Sequence, residues 1–338
     1  MKFPSTDLPN TMHAVECQGF GGPEVMRWVE RPVPAPAQGE ALIKVAAAGL
    51  NRADTMQRQG RYPPPAGASD IMGMEVSGEI VALGEGITRW KPGDKIIALL
   101  SGGGYAEYAV AKADQCLPLP ENVSMQEGAA LIEAIVTVYA NVFEAGALKP
   151  HETILVHGGS SGIGTTAIQM VKCLGAKIFV TVSNEEKAEA CRKLGVDLVV
   201  DYKKQDFVTA TNDATGGQGV DVVLDMVGGD YIERNLSVLA SLGRHISIAT
   251  QQGKSATIDM RLVMQKRLTI TGSTLRARSD AEKARLIAEV EANIWPWVNS
   301  GGIKSLIYKS FPIKLAAEAH KMMESGAHIG KIILEVAA

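Results

Sequence analysis

With 338 residues, 46% hydrophobic and 21% charged, the chain is long enough for two globular domains and too apolar for a disordered one. Its formal net charge of −3 argues against a general nucleic-acid or anionic-membrane binder. No run is read as reaching the roughly 18 apolar residues of a membrane span, Met1–Asn10 lacks the basic-then-apolar order of a signal peptide, and a cytoplasmic enzyme is expected. The cysteines Cys17, Cys116, Cys173 and Cys191 form no C-x-x-C pair and are expected to be reduced, packed thiols.

The first third alternates short apolar runs with Gly- and Pro-rich turns. Met12–Cys17, Ala41–Ala47, Met74–Leu83 and Lys95–Leu100 read as strands of a compact, mostly β domain. From Ser124 the texture changes. Met125–Val142 predicts a helix. Strands over Thr153–His157, Lys177–Val182, Leu198–Val200, Val220–Asp225, Gly243–Ala249 and Leu268–Gly272 follow, with helices over Gly162–Leu174, Glu185–Leu194 and Tyr231–Ala240. Strands so rich in Val, Ile and Leu predict an α/β fold with a doubly wound parallel sheet buried on both faces. The tail reads as a helix over Ala281–Ile294, an extended piece over Leu306–Phe311, a helix over Lys314–Ser325 and a strand over Ile332–Val336. It has no core of its own and should return to the first domain. The expected domains are 1–135 completed by 276–338, and 136–275.

The segment His157-Gly158-Gly159-Ser160-Ser161-Gly162-Ile163-Gly164 runs from an apolar strand straight into a helix. That geometry sets backbone N–H groups and the positive helix end under a pyrophosphate. Gly159, Ser161, Gly162, Ile163 and Gly164 are the candidate contacts, with Ser161 at the middle position of G-x-G-x-x-G. The second strand ends Val182-Ser183-Asn184, without the acid that holds a ribose 2′-OH in NAD enzymes. Ser183, Asn184, Lys187 and Tyr202 are placed to receive a 2′-phosphate, so the expected cofactor is NADPH. Further contacts are expected from loops at strand carboxyl ends: Met226 and Val227, Ala249 and Thr250, and Thr274, Leu275 and Arg276. Lys331 is expected to return from the tail towards the phosphates. The glycine spacing also fits short-chain dehydrogenases. Their Tyr-x-x-x-Lys pair occurs only as Tyr108–Lys112, upstream of the loop, so that reading fails on order.

Several blocks carry a family resemblance: Asn51-Arg52-Ala53-Asp54 through Tyr62-Pro63-Pro64-Pro65, Gly73-Met74-Glu75-Val76-Ser77-Gly78, Gly93-Asp94-Lys95, Gly103-Gly104-Tyr105-Ala106-Glu107-Tyr108 and Thr269-Ile270-Thr271-Gly272-Ser273-Thr274-Leu275-Arg276. In this order, with the glycine loop, they resemble the zinc-free, zeta-crystallin-like quinone oxidoreductases of the medium-chain dehydrogenase/reductase superfamily. The resemblance implies a GroES-like β catalytic domain beside a Rossmann domain, with the cofactor in the cleft between them. It implies NADPH-dependent reduction of a small-molecule quinone or similar conjugated carbonyl. An enoyl reductase acting on α,β-unsaturated thioesters or ketones shares the fold and remains the alternative. A crystallin-like or RNA-binding role is less favoured, because the chain has no basic, aromatic-interleaved stripe.

By the same resemblance, Asn51, Tyr62 and Thr137 contact nicotinamide or acceptor, and Asp54 orients their loop. The first cysteine ligand of the zinc relatives falls at Asn51, and their Gly-His-Glu reads Gly73-Met74-Glu75, so no zinc site is expected. The last strand of the Rossmann sheet, Leu268–Gly272, is β-branched and proline-free. Such an edge invites pairing with a second copy, and a homodimer is expected.

Overall fold

Alternation of apolar and polar side chains sets the first strands. In the computed structural model, which describes residues 8–336, β1 (Thr11–Cys17) buries Met12 and Ala14, exposes Thr11 and His13, and pairs antiparallel with β2 (Met26–Pro32). Most of Met1–Asn10, where the sequence predicts no signal peptide, lies outside the described residues. β3 (Glu40–Leu50) leads into the short helix α1 (Arg52–Arg58). After it come β4 (Glu75–Leu83), β5 (Lys95–Leu99), β6 (Tyr108–Lys112) and β7 (Cys116–Pro118). β3 pairs antiparallel with both β4 and β6.

The single helix predicted over Met125–Val142 is α2 (Met125–Gly128), then α3 (Ile132–Val138), then a π-helical turn over Tyr139–Ala145. Met125–Ala145 is long and apolar enough to cross a membrane by length and composition alone, which corrects the expectation that no run reaches that length. Its acids, Glu127, Glu133 and Glu144, are spaced too widely to break its apolar character. Most of the stretch is buried inside the fold, as in a core helix.

Strands and helices then alternate: β8 (Thr153–His157), α4 (Gly162–Leu174), β9 (Lys177–Val182), α5 (Glu185–Lys193), β10 (Leu198–Asp201), α6 (Phe207–Ala214), β11 (Val220–Asp225), α7 (Tyr231–Val238), β12 (Leu239–Ser247), α8 (Met260–Lys266) and β13 (Thr269–Gly272). All pairs are parallel, in the order β10-β9-β8-β11-β12-β13. This is the doubly wound sheet the sequence predicts, and its switch point lies between β8 and β11, where such sheets bind ligands. Two helices between these strands were not predicted. α6 is built from FVTATNDA, whose Thr, Asn and Asp are poor helix formers; the Asp206 cap, accepting from Thr209 N–H at 3.2 Å, sets its start. α8 is a seven-residue helix that buries no residue fully, so it carries little apolar periodicity.

The tail supplies α9 (Asp280–Asn293), α10 (Trp295–Asn299), β14 (Ile307–Pro312), α11 (Ala316–Ser325) and β15 (Lys331–Glu335). β15 pairs antiparallel with β3, with Ile332 opposite Leu50, and β14 lies parallel to β15. Phe311, Met323, Ile332 and Leu334 therefore join the core that holds Met12, Ile43 and Tyr105. Two compact units result. One runs up to Glu133 and adds Arg276–Asn299 and the chain from Ser305; the other holds Ala134–Leu275 and Ser300–Lys304.

Candidate active site

In the unit with the parallel sheet, the glycine loop is shaped by close approach. A Cβ on Gly159 would lie 2.5 Å from Val180 Cβ, and one on Gly164 would lie 2.4 Å from the Gly158 carbonyl oxygen. Ser161 is the N-cap of α4, and its Oγ accepts from Gly164 N–H at 3.0 Å. The N–H groups of Gly162 and Ile163, in the first turn, have no acceptor within their own helix. With the helix dipole behind them they could hold a phosphate.

A buried polar layer supports this loop. His157 Nε2 lies 2.7 Å from Asn235 Oδ1, and its Nδ1 lies 3.0 Å from Thr181 Oγ1. Asn235 Oδ1 can only accept, so His157 carries its proton on Nε2 and takes the Thr181 hydroxyl proton at Nδ1. Burial pushes the His157 pKa down, which keeps the ring neutral. Across the switch point, Asp225 accepts from the N–H groups of Val227 at 2.7 Å and Gly228 at 3.2 Å, and lies 3.3 Å from His245 Nε2. Burial pushes the Asp225 pKa up, but the His245 contact and the Val227 N–H outweigh it and hold the carboxyl below its usual range. The half-buried Met226 and Val227 sit on the loop thus fixed. Their carbonyls accept from Gln251 and Gln252 N–H, which ties in the Ala249–Thr250 segment. None of these buried histidine and carboxylate partners was predicted, because they meet only after four strands align.

At the end of β9, Asn184 caps α5, its Oδ1 accepting from Lys187 N–H at 2.9 Å. Tyr202 N–H donates to the Val182 carbonyl at 3.0 Å, which sets the exposed Tyr202 beside Ser183. Burial, then the neighbouring charge of Lys203, lowers the Lys187 pKa. Lys203 is thus a second cation at this end, and its place next to Tyr202 was the signal in the sequence. Glu185 is paired with Arg192 at 2.6 Å, so its charge does not oppose the two lysines unmatched. Further along, Thr137 lies in the last turn of α3. Its carbonyl accepts from Asn141 Nδ2 at 2.8 Å, and Asn141 Oδ1 accepts from Ser273 Oγ at 2.8 Å. That links Thr137 to the segment carrying Thr274 and Leu275.

In the β-rich unit, Asn51 precedes α1 in extended conformation as its N-cap. Asn51 Nδ2 donates to Glu75 Oε1 at 2.9 Å, Lys331 Nζ donates to Asn51 Oδ1 at 2.7 Å, and Lys331 Nζ donates to Glu75 Oε1 at 2.5 Å. Lys331, expected at the phosphates, thus gives two donors to this cluster. Removing one partner of such a buried ion pair costs about 3–5 kcal/mol. Arg276, expected among the cofactor contacts, donates from Nε and Nη2 to the Ser101 carbonyl at 2.9 and 2.7 Å. Its guanidinium lies 5.6 Å from the centre of the Tyr62 ring.

Beneath them runs a second buried network. Arg58 Nη1 faces His320 Nδ1 at 3.2 Å, Tyr105 Oη faces His320 Nε2 at 3.3 Å, and Tyr105 Oη donates to Asp54 Oδ2 at 3.2 Å. A guanidinium only donates, so Nδ1 accepts and Nε2–H points to the tyrosine; the whole chain runs one way, ending on Asp54. Asp54 Oδ2 also accepts from Asn51 N–H at 2.8 Å. Burial pushes the Asp54 pKa up to about 6, and burial together with Arg58 pushes that of His320 down to about 3.

The groups in contact at Asn51 are its own amide and a carboxylate already paired with an ammonium. Among the described residues no three of His, Cys, Asp and Glu gather closely enough to hold a metal ion. This set does not fit zinc.

Known proteins agree with the fold. The alcohol dehydrogenase GroES-like domain family matches residues 37–121, and the zinc-binding dehydrogenase family matches residues 162–291. A quinone oxidoreductase of Rattus norvegicus is 31% identical over 326 residues, covering 96% of this chain and 97% of that one. Quinone oxidoreductase 1 of Escherichia coli K12 is 32% identical over 324 residues, covering 95% and 98%. The crystal structure of Escherichia coli quinone oxidoreductase complexed with NADPH superposes with a TM-score of 0.85 at 31% identity, covering 96% of this chain and 99% of that one. The CurK enoyl reductase superposes with a TM-score of 0.86 at 26% identity, covering 97% and 100%. With this overlap in sequence and in fold, the chain belongs to the quinone oxidoreductase family of the medium-chain dehydrogenase/reductases and is an oxidoreductase.

Proposed function

We propose that the chain reduces quinones or similar conjugated carbonyl acceptors with NADPH and without zinc. The observation that carries this reading is the Lys331–Glu75–Asn51 cluster, where the zinc relatives of the superfamily keep metal ligands. A site without a Lewis acid suits an acceptor that delocalises the incoming charge itself. NADPH, with which the Escherichia coli quinone oxidoreductase is complexed in its crystal structure, suits the residues at the glycine loop and at the acid-free end of β9. Gly159, Ser161, Gly162, Ile163 and Gly164 would hold its pyrophosphate. Ser183, Asn184, Lys187 and Tyr202 would hold its 2′-phosphate, with Lys203 beside them. Met226, Val227, Ala249, Thr250, Thr274 and Leu275 would line the remainder. When bound, NADPH supplies the hydride; one proton from water completes the conversion of quinone to hydroquinone. Asn51, Tyr62 and Thr137 would orient the acceptor and the nicotinamide, with Arg276 stacked on Tyr62.

The working domains of this reading are 1–135 completed by 276–338, and 136–275, in a cytoplasmic homodimer. All four residues of β13 are exposed, Ile270 by 41%, and β13 ends its sheet among the described residues. Light scattering of the purified chain at micromolar concentration should therefore give the mass of a dimer, and a monomer would reject that assembly.

The similarity to the CurK enoyl reductase supports a second reading, reduction of an enoyl thioester. One assay separates the two: NADPH oxidation against a panel of quinones, enones and enoyl thioesters, before and after exhaustive chelation. Turnover fastest with quinones and unchanged by chelation is expected. Turnover confined to thioesters would favour the second reading, and loss of activity restored by zinc would overturn the metal-free site.

A further inference from the structure

The Asn51 amide is gripped from both ends, by Lys331 Nζ on its oxygen and by Glu75 on its nitrogen. The charges decide which way it faces. Turned over, its NH₂ would meet an ammonium and its oxygen a carboxylate. The grip is itself anchored. Glu75 Oε2 accepts from Glu133 N–H at 3.1 Å, and a Cβ at Gly49 would lie 2.3 Å from Glu75 Oε1, so only glycine leaves room for the carboxylate. Exposure rises outwards, from 0% at Glu75 to 4% at Lys331 and 8% at Asn51. Asn51 is the least buried member of the cluster, and only one of its two Nδ2–H donors is taken up by Glu75.

We infer that Lys331 is a positioning residue for the reaction: its buried ammonium, paired with Glu75, orients and polarises the Asn51 amide so that the second Nδ2–H meets the acceptor's carbonyl oxygen. This rests on the proposed reduction of a conjugated carbonyl with Asn51 at the acceptor. Hydride addition to such an acceptor leaves negative charge on its oxygen, which then takes a proton from water. Lys331 keeps its own protons throughout. An amide whose oxygen already accepts from an ammonium is a stronger N–H donor, and it favours the charged oxygen over the neutral carbonyl. A cation thus serves where zinc relatives use a metal, but through an amide rather than by direct contact.

The test is a double-mutant cycle between Lys331→Met and Asn51→Ala, read on kcat with benzoquinone, with NADPH affinity measured in parallel. Lys331→Met should lower kcat by about 30-fold, on the scale of losing a preorganised donor, and leave the NADPH dissociation constant within about twofold. In the Asn51→Ala background the same change should cost less than about threefold, because the two residues act as one unit. Equal losses in both backgrounds would overturn the inference. If Lys331→Met does not fold, Glu75→Gln with Lys331→Met removes both charges together and takes its place in the cycle.

A second readout does not depend on turnover. In protein labelled with ¹⁵N-asparagine, the two side-chain amide protons of Asn51, assigned through Asn51→Ala, should be widely split in the wild type. The split should collapse on loss of Lys331, and an unchanged split would overturn the inference. A wild-type chain inactive with every conjugated carbonyl would reject the functional reading, while these resonances would still decide whether Lys331 holds the amide.

Discussion

Around the glycine loop, the proposed phosphate seat is built from backbone groups and one hydroxyl within Gly158–Gly164, held against Val180 of the next strand. Around Asn51, the groups are side chains brought from Glu75, 24 residues away, and from Lys331, 280 residues away. The first arrangement depends on what is missing at a position, a Cβ. The second depends on charges that neutralise one another only after the tail strand β15 has joined β3. The glycine loop should therefore fail by steric exclusion, and the Asn51 side by unpaired charge and altered protonation.

The largest effect is expected at Gly164. A Cβ there would sit 2.4 Å from the Gly158 carbonyl oxygen and 2.5 Å from that of Gly159. Both are backbone atoms, which cannot swing aside. Gly164→Ala should raise the NADPH dissociation constant by about 100-fold, roughly 2.7 kcal/mol, in protein whose circular dichroism stays native. Wild-type affinity in that variant would show that the loop is not the phosphate seat.

The β-rich unit should show its charges in the pH dependence of stability. Asp54 has an unfolded pKa of 3.8, raised to about 6 in the fold. As pH rises through that window, the unfolded chain releases a proton that the fold retains, and stability falls by about 3 kcal/mol. His320 has the opposite sign. Its pKa drops from 6.5 to about 3 in the fold, so as pH falls below 6.5 the unfolded chain takes a proton that the fold refuses. The two slopes offset each other between about pH 4 and 6. Asp54→Asn should expose the His320 slope, with stability rising by about 1 kcal/mol per pH unit across that range in urea unfolding. His320→Gln should give a slope of the opposite sign. An identical, flat profile in both variants would mean that neither group titrates between folded and unfolded states.

Legibility in the sequence followed the same division. The parallel sheet, the glycine loop and the acid-free end of β9 were readable because period, glycine spacing and a missing acid are local signals. α6 escaped because its composition is poor in helix formers and its start is set by the Asp206 cap. Asn51 and Tyr62 came from the family resemblance alone. The His157–Asn235 and Asp225–His245 contacts, and the Arg58–His320–Tyr105–Asp54 chain, were not readable, since no spacing in the sequence pairs residues that far apart. Lys331 stood out, but not its partners: an isolated lysine after Gly330 shows no sign of the carboxylate that β3 and β4 will bring to it.

The smallest expected effect tests the adenosine end, where half-buried Lys187 and exposed Lys203 and Tyr202 replace both backbone and fully buried charge. Lys187 and Lys203 are close enough for one to depress the other's pKa, a repulsion that a bound 2′-phosphate would relieve. Lys187→Ala and Lys203→Ala should each weaken NADPH by about five- to tenfold, roughly 1 to 1.4 kcal/mol, and leave NADH nearly unchanged, because NADH lacks the 2′-phosphate. The preference should also shrink as salt rises, since Lys203 is exposed and such charges are screened over about 8 Å at physiological ionic strength. Glu185 would undo the preference if its carboxylate stood free, but Arg192 holds it. Arg192→Ala should therefore cost part of the NADPH preference without touching the phosphate. Equal weakening of both cofactors in the lysine variants would place the two cations elsewhere than at the 2′-phosphate.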